Sequence, residues 1–363
     1  MPADVAVKRI LVTDNLAPRG LDVLQHAPGF AVDVKDRLTP GELLACIGDY
    51  DALVVRSATK VTAEVLAAGK RLKVVGRAGV GVDNIDLEAA TARGIVVMNA
   101  PSGNTVTTAE HTIALLLALA KNVPQATMSL KQGRWEKSRF TNVELFNKVL
   151  GVIGLGRIGS EVARRAKALA MRVIAYDPFI SREAAAPLGV ELVDLEEVFR
   201  RSDFLTVHVP LGPDTRNLVD GKAIAMMKRG VRILNCARGG IVDEQALYEG
   251  LRTGQVAGAA FDVFVNEPAT DSPLLRLDNF ICTPHLGSAT EEAQENVAVA
   301  IAEQVIDFLE RGVVRNAVNA PSIDPELLAK IQPYFTLAEK LGRLSSQLSD
   351  GRMQEIRIDY QGE

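Results

Sequence analysis

Residues 149–169 constrain this chain more than any other stretch. Val149-Leu150-Gly151-Val152-Ile153 is an apolar run suited to a buried strand. It runs into Gly154-Leu155-Gly156-Arg157-Ile158-Gly159, after which Val162, Ala166 and Leu169 share one helical face. A glycine pattern of this kind is weak evidence alone, but the strand before it and the helix after it make a βα unit. Gly154 permits a tight turn, Gly156 lets the backbone approach a diphosphate, and Gly159 lets the helix pack close to the strand. The helix N-terminus offers free N–H groups to an anion. The plainer alternative is a glycine-rich turn that holds nothing.

Similar units recur on both sides. Short apolar runs at 9–12, 52–55, 73–75 and 95–98 alternate with helical stretches at 42–47 and 62–68. Further runs follow at 172–176, 204–209, 232–235, 258–262 and 280–283. Strand and helix in alternation imply parallel sheets covered by helices. A long helix is predicted over 107–122, with Ile113, Leu116, Leu117 and Ala120 as its apolar stripe. Ser288-Ala289-Thr290-Glu291 matches a capping box, and Val297, Ile301, Val305 and Phe308 give the helix after it a core face. That helix is expected to return to the N-terminal domain. The expected division is a discontinuous domain of residues 1–99 and 289–316, a doubly wound domain over 100–288, and a tail over 317–363. In the tail, Leu337, Leu341, Leu344 and Leu348 mark an amphipathic helix, and Ile356, Ile358 and Tyr360 alternate as a strand.

The 363 residues, 47% of them hydrophobic, suffice for two cores. Lys and Arg number 41 against 45 Asp and Glu, a net −4, with no long basic run. Nucleic acid and anionic membranes are therefore not expected partners. Three cysteines without metal-ligand spacing fit a reducing cytoplasm and suggest no metal site. The N-terminal stretch shows no apolar core or cleavage site, so a secretion signal is not expected, and the apolar run at 113–120 is too short to span a bilayer.

Asp177 follows the strand predicted at 172–176, 23 residues after Gly154. A carboxylate there accepts hydrogen bonds from ribose hydroxyls and repels a 2′-phosphate, which points to NAD over NADP. Three segments stand at later strand ends: Asn235-Cys236-Ala237-Arg238-Gly239-Gly240, Phe261-Asp262-Val263-Phe264-Val265-Asn266-Glu267-Pro268 and Thr283-Pro284-His285-Leu286-Gly287. Ligands of open α/β sheets bind beyond such ends, so the three can share one crevice. Arg238 offers a planar fork of donors to the carboxylate and carbonyl of a 2-keto acid. His285 can carry a proton, and Glu267 can orient its ring. Read singly, each has a plainer meaning. His26, His111 and His208 are as available as His285, Arg238 could cap a loop, and Glu267 could be solvated.

Together GLGRIG, NCARGGIVDE, FDVFVNEP and TPHLG, with VVRSATKVT and VGRAGVGVDNID upstream, resemble the D-isomer-specific 2-hydroxyacid dehydrogenases over residues 8–320. The resemblance implies a Rossmann-type domain inserted in a smaller flavodoxin-like α/β substrate domain. It makes Arg238, Glu267 and His285 the catalytic residues. It adds Val80, Arg157, Ile158, His208, Val209, Pro210, Cys236, Ala237, Asp262 and Gly287 to Gly154, Gly156, Gly159 and Asp177 as NAD-binding residues. Cys236 is read as a small packing residue. Within the family the likeness is to members acting on D-3-phosphoglycerate in L-serine biosynthesis. It implies substrate contacts at Arg56, Ser57, Arg77, Gly79, Asn104, Arg238 and His285, with Lys137 or Arg139 as further phosphate ligands. It also implies a homodimer paired through the cofactor domain, and a tail that opens a regulatory intervening domain, so no inhibition by L-serine is expected. Asn142 and Asn147 replace glycines usual in relatives, and asparagine best tolerates left-handed backbone. Reductases of hydroxypyruvate, glyoxylate or 2-oxoglutarate are same-family alternatives. An NAD(H)-sensing corepressor-like protein is the alternative of another class. Michaelis constants with the two cofactors test the Asp177 reading: a clear preference for NAD is expected, and one for NADPH on the order of tenfold would refute it.

Overall fold

A computed structural model describes residues 7–320 and 325–348. The first unit runs β1 (Lys8–Val12), α1 (Pro18–His26), β2 (Phe30–Val34), α2 (Pro40–Cys46), β3 (Ala52–Val55), α3 (Ala63–Ala68), β4 (Val74–Arg77), α4 (Leu87–Ala92) and β5 (Val96–Asn99). Its parallel sheet has the order β2-β1-β3-β4-β5, the flavodoxin-like arrangement. The helices α5 (Thr105–Ala120) and α6 (Val123–Lys131) lead into the second unit. This continues with β6 (Val149–Ile153), α7 (Arg157–Ala168), β7 (Arg172–Tyr176), α8 (Arg182–Ala185), β8 (Glu191–Leu192), α9 (Leu195–Arg201), β9 (Phe204–Val207), α10 (Gly221–Met226), β10 (Val231–Asn235), α11 (Glu244–Thr253), β11 (Val256–Phe261) and β12 (Phe280–Cys282). Its seven parallel strands lie in the order β12-β11-β10-β9-β6-β7-β8. The strand order reverses between β6 and β9, which opens a crevice at the carboxyl end of β6, where the glycine turn begins.

Helix α12 (Glu291–Arg311) returns to the first sheet as expected. Val297, Ile301 and Val305 are buried there against β1, β3 and β4, with Phe308 half-buried beside them. The approach to α1 is so close that a Cβ on Gly20 would lie 2.5 Å from the Ala298 Cβ. The chain then stays with this sheet to Asn319, past the expected boundary at 316. Val318 N–H donates to the Val97 carbonyl, and Asn319 Oδ1 accepts from Val97 N–H.

Four local readings need correction. The helix predicted over 107–122 is Thr105–Ala120, and α6 turns away after Asn122 takes a left-handed φ of 49°. The buried face of α5 is Thr108, Ala109, Thr112, Leu115, Leu116, Leu119 and Ala120, whereas Leu117 is exposed and Ile113 half-buried. The run IALLLALA is apolar all round, so packing on α7, β10 and β11 chose the face. The cap of α12 is Thr290, whose Oγ1 accepts from Ala293 N–H, and not Ser288. Asn147 adopts φ 59°, as expected of a glycine substitute, but Asn142 does not; its Oδ1 accepts from Asn122 Nδ2.

The amphipathic tail helix is present as α13 (Pro325–Leu348), and Leu337, Leu341, Leu344 and Leu348 are exposed on it. The strand predicted at Ile356, Ile358 and Tyr360 lies outside the described residues. Among the described residues no single helix is long and apolar enough to cross a membrane. Substituting Gly20→Ala weighs a helix-propensity gain of up to about 1 kcal/mol against overpacking of roughly 1–3 kcal/mol. Contact with Ala298 backbone atoms lets overpacking win, so the urea-unfolding midpoint should fall; a rise would mean that α1 and α12 lie further apart in solution.

Candidate active site

The carboxyl ends of both sheets face a cleft of about 680 Å³. From the first unit Arg77, Val80 and Asn104 line it. From the second come Ile158, the His208-Val209-Pro210 segment after β9, Cys236, Ala237 and Arg238 after β10, Asp262 after β11, and His285 and Gly287 after β12. Thirteen residues singled out by sequence therefore meet in one place. Arg56, half-buried, and Ser57, exposed, follow β3 outside this lining. Lys137 and Arg139 do not line it either. Arg139 is instead paired with Asp278 at 2.7 Å and Glu136 at 3.3 Å on the α6 side.

The glycine turn suits a diphosphate. Gly154 has φ 89°, and a Cβ there would sit 2.6 Å from the His208 carbonyl oxygen. A Cβ on Gly159 would be 2.0 Å from the Gly154 oxygen, so strand and helix close only on glycine. Gly156 faces open space, and as cap of the twelve-residue α7 it leaves the helix's first N–H groups without a side-chain partner. Asp177 is held at the end of β7: Oδ2 accepts from Leu155 N–H at 2.8 Å and Oδ1 from Phe179 N–H at 2.9 Å. Each carboxylate oxygen keeps a lone pair for a ribose hydroxyl. These features fit a dinucleotide. Among the described residues no cluster of three or more acidic, histidine or cysteine side chains could hold a metal.

Opposite the turn stand two arginines. Nε of Arg238 donates to Asp83 Oδ2 at 2.9 Å and Nη1 to the carbonyl of the preceding Ala237 at 2.7 Å. A Cβ on Gly81 would lie 1.9 Å from Nη2, so only glycine leaves room for this guanidinium. Arg77 is largely buried, its Nε has no hydrogen-bond partner, and burial followed by repulsion from Arg238 pushes its pKa down to about 10. It remains a cation at neutral pH. Asp83, Gly81 and Asp86 in the cleft were not assigned roles from sequence; a carboxylate two residues after a glycine was the available signal for Asp83.

His285 stands beyond β12 with φ 56°, a left-handed conformation uncommon outside glycine, though histidine tolerates it better than most residues. Its Nδ1 is 2.8 Å from Glu267 Oε2, while Glu267 Oε1 accepts from Phe264 N–H. This leaves Nε2 as the uncommitted ring nitrogen. Buried Asp262 secures the turn by accepting N–H bonds from Leu286 and Gly287, each 2.7 Å, and the Thr283 hydroxyl at 2.5 Å. Burial raises its pKa, but hydrogen bonds from His111, Thr283 and the turn outweigh this and hold it below the usual carboxylate value. Burial pushes the Cys236 thiol up to about 12, which agrees with a packing role. Such a site can hold a carboxylate, carry a proton and seat a dinucleotide.

Residues 113–287 match the family described as D-isomer specific 2-hydroxyacid dehydrogenase, NAD binding domain. The chain is 51% identical over 356 residues to D-3-phosphoglycerate dehydrogenase of Methanocaldococcus jannaschii, covering 98% of this chain and 68% of that protein. Its identity to the Synechocystis protein of the same name is 49% over 355 residues, covering 98% and 64%. The chain thus spans about two thirds of the length of these curated relatives. It superimposes on D-lactate dehydrogenase from Aquifex aeolicus, solved with NAD and lactic acid, with a TM-score of 0.76 at 30% identity, covering 86% of this chain and all of that one.

Burial lowers the pKa of His208, whose ring nitrogen is 2.9 Å from Thr206 Oγ1, to about 4. The unfolded chain therefore binds this proton more readily, and stability falls as pH drops through about 6.5 and levels off near 4. Between pH 7 and 5 the loss from this residue is about 2 kcal/mol. In urea unfolding, His208→Gln should lose correspondingly less than the wild type over that interval; equal losses would contradict it.

Proposed function

Because this chain belongs to the D-isomer-specific 2-hydroxyacid dehydrogenase family, we propose that it oxidises D-3-phosphoglycerate to 3-phosphohydroxypyruvate with NAD, the opening step of L-serine biosynthesis. The carrying observation is that the His285–Glu267 pair and two arginines from opposite units address one cleft, beside a glycine turn fit for a dinucleotide. Identity of about half to proteins named D-3-phosphoglycerate dehydrogenase supports the choice of substrate.

NAD, when bound, supplies the acceptor for the hydride leaving the substrate's C2. His285 takes the proton of the 2-hydroxyl at Nε2, since Nδ1 is committed to Glu267. The Glu267 carboxylate stabilises the imidazolium that results. Arg238 binds the substrate carboxylate and the oxygen at C2 through its fork, of which Nη2 carries no other hydrogen bond. Arg77, a cation with a bare Nε, answers the phosphate dianion. Asn104, whose buried Oδ1 also lacks a partner, accepts a hydrogen bond in the same cleft. In the reverse direction the imidazolium returns the proton. We also propose a homodimer in the cytoplasm; exposed Met128, Leu130 and Trp135 on and after α6 support an apolar contact there.

Production of NADH from 3-phosphoglycerate by the purified protein tests the reading directly. His285→Ala should lower turnover by roughly 10²–10⁴-fold while NADH binding persists. Arg77→Ala should raise KM for the phosphorylated substrate far more than for glyoxylate. Tight NADH binding without turnover of any 2-hydroxy acid would favour a sensor over an enzyme.

A further inference from the structure

Helix α5 meets the segment that carries His285 through three polar side chains, to none of which the chemistry above gives a role. Thr108 Oγ1 donates to the Gly287 carbonyl at 2.9 Å. Thr107 Oγ1 lies 3.2 Å from Thr290 Oγ1, the cap of α12. One helical turn on, His111 Nε2 lies 3.0 Å from Thr283 Oγ1 and 3.3 Å from Asp262 Oδ1.

The proton count fixes the direction of this last contact. A carboxylate only accepts, so the Thr283 hydroxyl gives its single hydrogen to Asp262. Thr283 can then only accept from His111, and Nε2 of His111 must carry a hydrogen. A relay of hydrogen bonds results: His111 Nε2–H to Thr283 Oγ1–H to Asp262 Oδ1. Asp262 in turn takes the N–H groups of Leu286 and Gly287, the two residues after His285. His285 N–H bonds to the carbonyls of Asp262 and Thr283, so every link of the relay touches its turn. These contacts support the left-handed backbone of His285. His111 does not itself line the cleft.

We propose that His111 is a positioning residue for the proton-carrying imidazole: through Thr283 and Asp262 it fixes the turn on which His285 stands. This rests on the reading of His285 as the proton carrier. A histidine that merely anchors α5 would affect stability and leave turnover alone. One that sets the turn acts on kcat, because a displacement of about 1 Å at a catalytic group costs on the order of a hundredfold.

The test measures steady-state oxidation of 3-phosphoglycerate, NADH binding by fluorescence and thermal midpoints for the wild type, His111→Leu, His111→Gln and Thr283→Val. In His111→Leu, kcat should fall roughly ten- to a hundredfold, with KM and NADH affinity changed by no more than about twofold. His111→Gln keeps an N–H donor near the position of Nε2 and should recover most of the loss. Thr283→Val cuts the same relay and should match His111→Leu, and the double variant should be no worse than either alone. Wild-type kcat in His111→Leu, or equal impairment of the Gln and Leu variants, would overturn the proposal. Should His111→Leu fail to fold, wild-type kcat in Thr283→Val overturns it equally. No turnover by the wild type would remove the reading of the site and this inference with it; wild-type turnover with unaffected variants removes this inference alone.

Discussion

A carboxylate buried at the end of β11 organises the second half of the cleft. Asp262 is 1% exposed and accepts from two backbone N–H groups and a hydroxyl, with the His111 imidazole 3.3 Å away. Burying a charge is costly unless it is fully hydrogen-bonded, and here the donors come from the turn after β12, which α5 holds through His111 and Thr283. Satisfying one carboxylate therefore joins three elements distant in sequence. It also closes the turn around Asp262 so tightly that a Cβ on Gly287 would lie 3.0 Å from Oδ2. The unusual backbone of His285 follows from that closure.

Charge balance governs the other wall. Burial and then the charge of Arg238 make Arg77 easier to deprotonate, and Asp83, paired with Arg238, is the nearby counter-charge. Asp83 is largely exposed and Arg77 largely buried, so the anion is the group more readily rehydrated when a ligand carboxylate or phosphate enters. The cleft thus offers an entering anion one arginine already paired with Asp83 and one whose Nε has no partner. Glycines at 79 and 81 make this possible sterically, because side chains there would occupy the positions of the two guanidinium groups.

Much of this was legible in the residues. The strands at 9–12, 52–55, 149–153 and 172–176 were found within a residue or two because buried parallel strands read as unbroken apolar runs. Two of the edge strands were not: β2 is only half-buried along Phe30–Asp33, and β8 has two residues, so neither carries that signature. The face of α5 escaped for the opposite reason, an excess of apolar residues. The Ser288 cap was preferred by local pattern, but the His285 turn consumes that residue, and the helix starts only after Thr290.

The sequence by itself determined the alternation of strand and helix, the phosphate-sized turn at Gly154, and the chemistry available at Arg238, Glu267 and His285. Those depend on side-chain type and short-range spacing, which a linear chain states directly. Only the tertiary structure decided which histidine of four stands on the cleft bound to Glu267, that Arg238 is met by Asp83 from 155 positions away, and that His111 supports the turn from beneath. These pairings arise from the crossing of two separately wound sheets. No local pattern records them, because the residues involved become neighbours only when α12 has packed back onto the first sheet and α5 onto the second.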